Sequence, residues 1–182
     1  MLEIELFESQ VDYQQEVTSL LYFKEESKGI SRLKESKCAI EDGFDLDFAP
    51  GHLIRRAQQV HTSVWASVVG EDLTSPQFAV LNILYARPGI DQTMLSSLAS
   101  LDTSTCQDIV ARLRHKGLIE RSKDGSDGRR WLLRLSERGK ITRNQVVPKV
   151  REVGEILLRS LDPDDRETLT RLLYEVARGI DS

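Results

Sequence analysis

Residues 111–140, ARLRHKGLIERSKDGSDGRRWLLRLSERGK, hold ten Lys and Arg against four Asp and Glu, whereas the whole chain of 182 residues is formally −4. Cations gathered on one segment of an acidic protein are suited to neutralising phosphates. Arg121, Lys123, Asp127, Arg129 and Arg130 cluster around a Gly- and Asp-rich stretch that reads as the tip of a hairpin, from which arginines reach outward. Gly125 and Gly128 permit the backbone angles of such a tight loop. The pattern is that of a DNA-binding wing. No catalytic constellation competes with it. His52, His61 and His115 lack metal-ligand spacing, and there is neither a Gly-x-Ser-x-Gly elbow nor a phosphate-cradling glycine loop. Asp164 and Asp165 sit where a helix starts, a place the helix dipole favours for acids. Two cysteines, Cys38 and Cys106, make no disulfide framework and are expected to be small, buried and inert. The sequence therefore predicts a protein that is not an enzyme and needs no cofactor or metal.

Hydrophobic period defines the elements that must position the basic run. Leu53, Ile54, Ala57, Val60, Val64, Trp65 and Val68 recur every three or four residues, predicting a helix from Pro50 to Gly70. Thr74-Ser75-Pro76-Gln77 fits a capping box for a second helix, broken at Arg87-Pro88-Gly89. Asp91 is expected to cap a short helix, and a tight turn then leads to a helix from Thr103 to Lys116, closed by Gly117. Two helices joined by a tight turn form a helix-turn-helix pattern. Strands are expected at 118–121 and 130–135, flanking the wing. A long helix opens at Ser136, with a kink expected at Pro148, and a last helix is capped by Asp162-Pro163. The fold class is mainly α with a small β-hairpin wing: a winged helix-turn-helix plus N- and C-terminal dimerisation helices.

The domain organisation follows. Residues 1–49 form an acidic extension expected to be partly helical, and residues 1–50 carry twelve acids against five bases. Residues 50–182 form the main domain, with dimerisation helices at 50–70 and 140–182 and the winged helix-turn-helix at 74–139. The terminal helices carry more apolar side chains than a small winged helix buries alone, which predicts a homodimer. No apolar run approaches the ~18–20 residues of a membrane span. The acidic first residues lack the features of a signal peptide, so a cytoplasmic protein is expected.

Residues 50–180 resemble the multiple-antibiotic-resistance regulator (MarR) family. The likeness is carried by GHLIRRAQQV, LTSPQFAVLNIL, LSSLASLDTSTCQDIVARLRHKGLIER, SDGRRWLLRLSERG and LDPDDRETLTRLL. Its most specific part is Asp127-Gly128-Arg129 followed by Leu133, Leu135, Ser136 and Gly139. The resemblance implies an obligate homodimer with interleaved terminal helices, binding a pseudo-palindromic double-stranded DNA operator. It further implies repression relieved by a small, often aromatic ligand bound between the dimerisation helices and the DNA-reading lobe. Arg129 would then enter the minor groove, with Asp127 fixing the loop.

A recognition helix enters the major groove with its N-terminal turn nearest the bases. Thr103, Ser104, Thr105 and Gln107 occupy that turn, and Gln107 suits an adenine edge. Thr103 serves equally as a helix cap. Asp108 is expected to pair with Arg112 four residues on, leaving Arg112 for phosphate at most. Arg55, Arg56, His61, Trp65 and Tyr85 lie on the two helices that border the family's effector cleft, although core packing is the commoner role for a Trp such as Trp65. Two other readings are a thiol-based redox sensor, whose reactive Cys the family places where neither Cys38 nor Cys106 lies, and a winged-helix protein-interaction module without a DNA target.

Overall fold

A computed structural model describes residues 45–125 and 130–179. The chain divides into a unit ending at Leu53 and a larger one beginning at Ile54. In the first, Asp45 caps a short 3-10 turn, Leu46–Phe48, by accepting from the Asp47 N–H at 3.0 Å. Helix α1, Pro50–Val68, starts there and runs into the second unit. Gly70, at φ +98°, turns the chain away after it.

Helix α2, Ser75–Ala86, begins with the expected box: Thr74 Oγ1 accepts from the Gln77 amide, and the Gln77 side chain accepts from the Thr74 N–H at 3.2 Å. Helix α3, Gln92–Leu98, is capped by Asp91, and helix α4, Thr103–His115, by Asp102. The turn between them holds Ser100 at φ 51°, a left-handed conformation unusual for a residue with a Cβ. Gly117, at φ +68°, ends α4 as expected. Strands β1, Ile119–Lys123, and β2, Trp131–Leu135, pair antiparallel with Ile119 opposite Leu135 and Lys123 opposite Trp131. The hairpin thus starts one residue later and its first strand runs two residues further than the sequence pattern indicated. Ile90 adds a bridge to Leu133, tying the hairpin to the chain before α3.

Helix α5, Glu137–Leu158, runs unbroken with Pro148 inside it, where the sequence predicts a kink. Asp162 caps the last helix, α6, Pro163–Arg178, with Pro163 in its first turn. An ion pair from Arg166 to Glu155 at 2.8 Å, with Arg166 Nε donating to the Leu161 carbonyl at 3.1 Å, fixes the corner between α5 and α6.

Two apolar clusters hold these elements. The larger packs Val80, Leu81 and Leu84 of α2 with Leu95, Cys106, Val110, Leu113, Leu118, Ile119, Leu133 and Leu135. The smaller packs Val64 and Trp65 of α1 on Val153 of α5. Phe78 touches both. Leu172, Leu173, Tyr174 and Val176 of α6 remain exposed, so this helix turns apolar side chains outward. The start of α5 is pinned to the end of α4: Ser136 N–H donates to Leu118 O at 3.1 Å, Ser136 Oγ to Gly117 O at 2.7 Å, and Gly139 N–H to Ser136 Oγ at 2.9 Å.

Candidate nucleic-acid interface

Helix α4 buries Cys106, Ile109, Val110 and Leu113, which leaves its opposite face outward. A groove of about 440 Å³ separates one flank of that face from the hairpin. Gln107, Ala111 and Arg114 of α4 form one wall; Arg121, Arg130 and Trp131 form the other, and Gln92 and Thr93 of α3 close one end. Arg130 reaches back to pair with Asp91, the cap of α3, which joins the hairpin to the helix-turn-helix across 39 residues of sequence. The N–H of Met94 and the guanidinium of Arg130 hold the Asp91 carboxyl below its usual range. Arg121 Cζ lies 4.0 Å from the centroid of the Trp131 ring, and Lys123 Nζ lies 5.7 Å from it.

The sequence-predicted residues separate into groups. Gln107, Arg121 and Arg130 share this groove, with Lys123 over its Trp131 wall. Arg112 does not share it. It lies on the other flank of α4, lining a second cleft of about 340 Å³ with Glu71, Asp72, Thr74, His115 and Lys116. Lys116 donates to the Asp72 carbonyl there. The expected Asp108–Arg112 ion pair is absent among the described residues; a one-turn spacing permits such a pair but does not fix the rotamers that would make it. Asp127 and Arg129, at the wing tip, lie outside the described residues, as does Cys38.

The first turn of α4 differs from expectation in a way that changes its chemistry. The cap is Asp102, not Thr103. Its carboxylate accepts from the Thr105 N–H at 2.9 Å and from the hydroxyls of Ser104 and Thr105. Those bonds, the Ser104 hydroxyl's foremost, hold the carboxyl far below the usual range. The positive end of the helix dipole is already matched by a carboxylate. Ser104 and Thr105 have given their protons inward, so they present lone pairs to a ligand. A phosphate, which only accepts, finds no donor in them in this rotamer. A base amine, which donates, finds acceptors there.

The effector-cleft residues are dispersed. Trp65 is core: it is buried, its Nε1 donates to the Leu73 carbonyl at 2.7 Å, and its ring lies 5.9 Å from Phe78. His61 stands beside it, ring centroids 5.8 Å apart. Tyr85 is exposed on α2 beneath Arg143 of α5, whose guanidinium is 4.3 Å from the ring and also donates twice to Asn82 Oδ1. Arg55 and Arg56 are exposed on α1. Neither cleft described above is lined by any of these five residues.

Among the groove residues that escape the sequence reading, three matter most: Arg114, Trp131, and Asp91 as the partner of Arg130. Arg114 was recoverable, since it lies two helical turns beyond Gln107 on the same flank. The other two depend on strand register and on a contact distant in sequence.

Residues 73–131 match the MarR family model. Over 140 residues the chain is 31% identical to the HTH-type transcriptional repressor NicR of Pseudomonas putida, covering 76% of this chain and 87% of NicR. The chain belongs to the MarR family. Its fold is shared with family members of solved structure. The PcaV transcriptional regulator of Streptomyces coelicolor, solved with its natural ligand, is 39% identical with a TM-score of 0.71, covering 74% of this chain and 96% of PcaV. BpsR of Bordetella bronchiseptica, whose DNA binding is regulated by 6-hydroxynicotinic acid, is 25% identical at the same TM-score, covering 74% of this chain and 96% of BpsR. This MarR-family protein is thus a winged-helix, DNA-binding transcription regulator. No helix among the described residues is long and apolar enough to cross a membrane.

Proposed function

We propose that the protein is a homodimeric repressor that turns the α4–hairpin groove to an operator and releases it on binding a small aromatic acid. The observation that carries the reading is the groove itself, with Gln107 and Arg114 on the helix facing Arg121 and Arg130 on the hairpin. A helix edge that offers hydrogen-bonding groups to bases, beside cations that take the backbone, is the division of labour DNA readers use. Arg129 at the wing tip extends this surface into the minor groove, with Asp127 holding the loop. Gln107 and the outward lone pairs of Ser104 and Thr105 meet base edges, while Arg121, Lys123 and Arg130 take the backbone; Thr103 and Arg112 contribute at the two flanks.

The outward apolar residues of α6 supply a dimer surface, and 50–70 with 140–182 serve as dimerisation helices around the reading lobe at 74–139. NicR's designation as a repressor supports the direction of control. The regulation of BpsR by 6-hydroxynicotinic acid supports an aromatic acid as effector, with Arg55, Arg56, His61 and Tyr85 as the polar groups that receive it. Trp65 serves by shaping the core beneath them. Thiol control is disfavoured: Cys106 is fully buried, and burial pushes its thiol pKa up, away from the reactive thiolate.

A gel shift on the DNA upstream of its own gene tests the reading, with a salt series and a titration of hydroxylated aromatic acids. Neutralising ~6–10 phosphates makes affinity fall by orders of magnitude between 50 and 200 mM salt. Arg129→Ala should weaken binding by ~1–3 kcal/mol while leaving the dimer intact. A flat salt response, or unchanged affinity of the Arg129 variant, counts against the DNA surface. Binding untouched by every acid tested counts against the effector.

A further inference from the structure

The groove wall on the hairpin contains an aromatic ring that the fold does not need for its core. Residues directly opposite in an antiparallel pair share a face. Ile119 with Leu135, Arg121 with Leu133, and Lys123 with Trp131 therefore lie on one face of the hairpin. Ile119, Leu133 and Leu135 bury that face in the main cluster and anchor it. Trp131, one step further towards the tip, is 40% exposed and lines the groove. Leaving so large an apolar surface in water, beside cations, needs a reason.

The charges around it differ in their state. Arg130 is paired with Asp91. Arg121 has no carboxylate partner among the described residues and instead lies over the indole, with Cζ 4.0 Å from the centroid. Across the groove, Arg114 likewise has no carboxylate partner among the described residues. A guanidinium stacked on a ring is restrained through its face and keeps its N–H donors at its edge, in the geometry that meets a phosphate with two bonds. An ordinary surface Arg has to order a long side chain on binding, and stacking removes part of that cost.

We propose that Trp131 is a positioning residue for DNA binding: its indole holds Arg121 edge-on to the DNA backbone, opposite Arg114. The proposal rests on the placement of this groove against DNA made above. A backbone contact is independent of sequence, so it is testable on any duplex at low salt. The full-length protein is titrated with a mixed-sequence duplex across a salt series, comparing wild type with Trp131→Phe, Trp131→Leu, Arg121→Ala and the Arg121→Ala/Trp131→Leu double variant. Loss of an exposed cation–ring contact corresponds to a weakening of about 2–5-fold in Trp131→Leu, with Trp131→Phe close to wild type. The slope of log affinity against log salt should fall by about one in Arg121→Ala, as expected for a lost phosphate contact. Trp131→Leu should add nothing once Arg121 is Ala, because the ring acts through the guanidinium. Additive losses, or a Trp131→Leu protein that binds as wild type, would overturn the proposal.

A measurement on the unaltered protein guards against variants that fold poorly. Of the two tryptophans, Trp65 is 6% exposed and Trp131 40%, so acrylamide quenches mainly Trp131. Duplex should protect it. Quenching unchanged by saturating duplex would also overturn the proposal, whereas failure of the wild-type protein to bind any duplex would remove the DNA placement beneath it.

Discussion

Replacing Gly139 by Ala sets two tendencies against each other. In a helix interior Ala is favoured over Gly by about 1 kcal/mol, so helix propensity alone predicts a stabilised protein. The structure predicts the opposite. A Cβ at Gly139 would stand 2.1 Å from the carbonyl oxygen of Leu118, a backbone atom that cannot swing aside, whereas ordinary contact begins near 3.4 Å. The first turn of α5 must therefore withdraw from the end of α4 by roughly 1.3 Å, the difference between those distances. That motion stretches the bonds from Ser136 N–H to Leu118 O, now 3.1 Å, and from Ser136 Oγ to Gly117 O, now 2.7 Å, out of hydrogen-bonding range. Each is worth ~0.5–1.5 kcal/mol and the overpacking costs ~1–3 kcal/mol, which leaves a net loss of about 3 kcal/mol after the propensity gain. For a domain of this size the midpoint should fall by about 10 °C. Thermal and urea unfolding at fixed protomer concentration read the change. A Gly139→Ala protein that melts at or above the wild-type temperature refutes the steric account.

Two further outcomes are expected. The folded-state pKa of Asp91 is depressed, so its contribution to stability is complete above its unfolded value of 3.8 and is lost as pH falls through the lower folded value. Asn at position 91 keeps the helix cap but loses the charge facing Arg130; the urea midpoints of Asp91→Asn and wild type should differ at neutral pH and converge only as pH falls below 3.8 through the lower folded value, and a gap that persists in stronger acid contradicts the ion pair. In a Cys38→Ser background, the buried Cys106 should resist thiol reagents until the protein unfolds, and peroxide should leave DNA binding unchanged; rapid modification of the native protein would contradict its burial.

Features set by local chemistry were legible in the sequence. Thr74 with Gln77, Asp91 and Asp162 all cap the helices they are expected to cap, because a cap is a bond between a side chain and an amide two or three residues away. Gly117 ends its helix for an equally local reason. The first turn of α4 was misread because Asp102 and Thr103 are both good caps, and only the backbone decides which stands outside the helix. The groove was half legible. Its cations were evident from charge density, but the pairing of Arg130 with Asp91 and the stacking of Arg121 on Trp131 arise where separate elements meet. The same holds for Arg143 on Asn82, 61 residues apart, which ties α5 to α2 beside Tyr85. Gly139 was visible as part of a motif, but its reason, the approach of the Leu118 carbonyl, was not.

Phe78 makes the two apolar clusters mechanically continuous. Its ring packs on the Trp65–Val153 cluster of the long helices and on the cluster that contains Leu81, Leu113 and Leu133. Trp65 spans the same junction, since its indole N–H is tied to the carbonyl of Leu73, a member of the larger cluster. Close-packed interiors compress little, so displacement of the C-terminal half of α1 is passed on rather than absorbed. Packing runs without a gap from α1 to α2 through Trp65 and Phe78, and from α2 to α4 through Leu81, Leu84 and Leu113. The long helices and the helix-turn-helix are therefore joined through one packed seam rather than resting on separate cores.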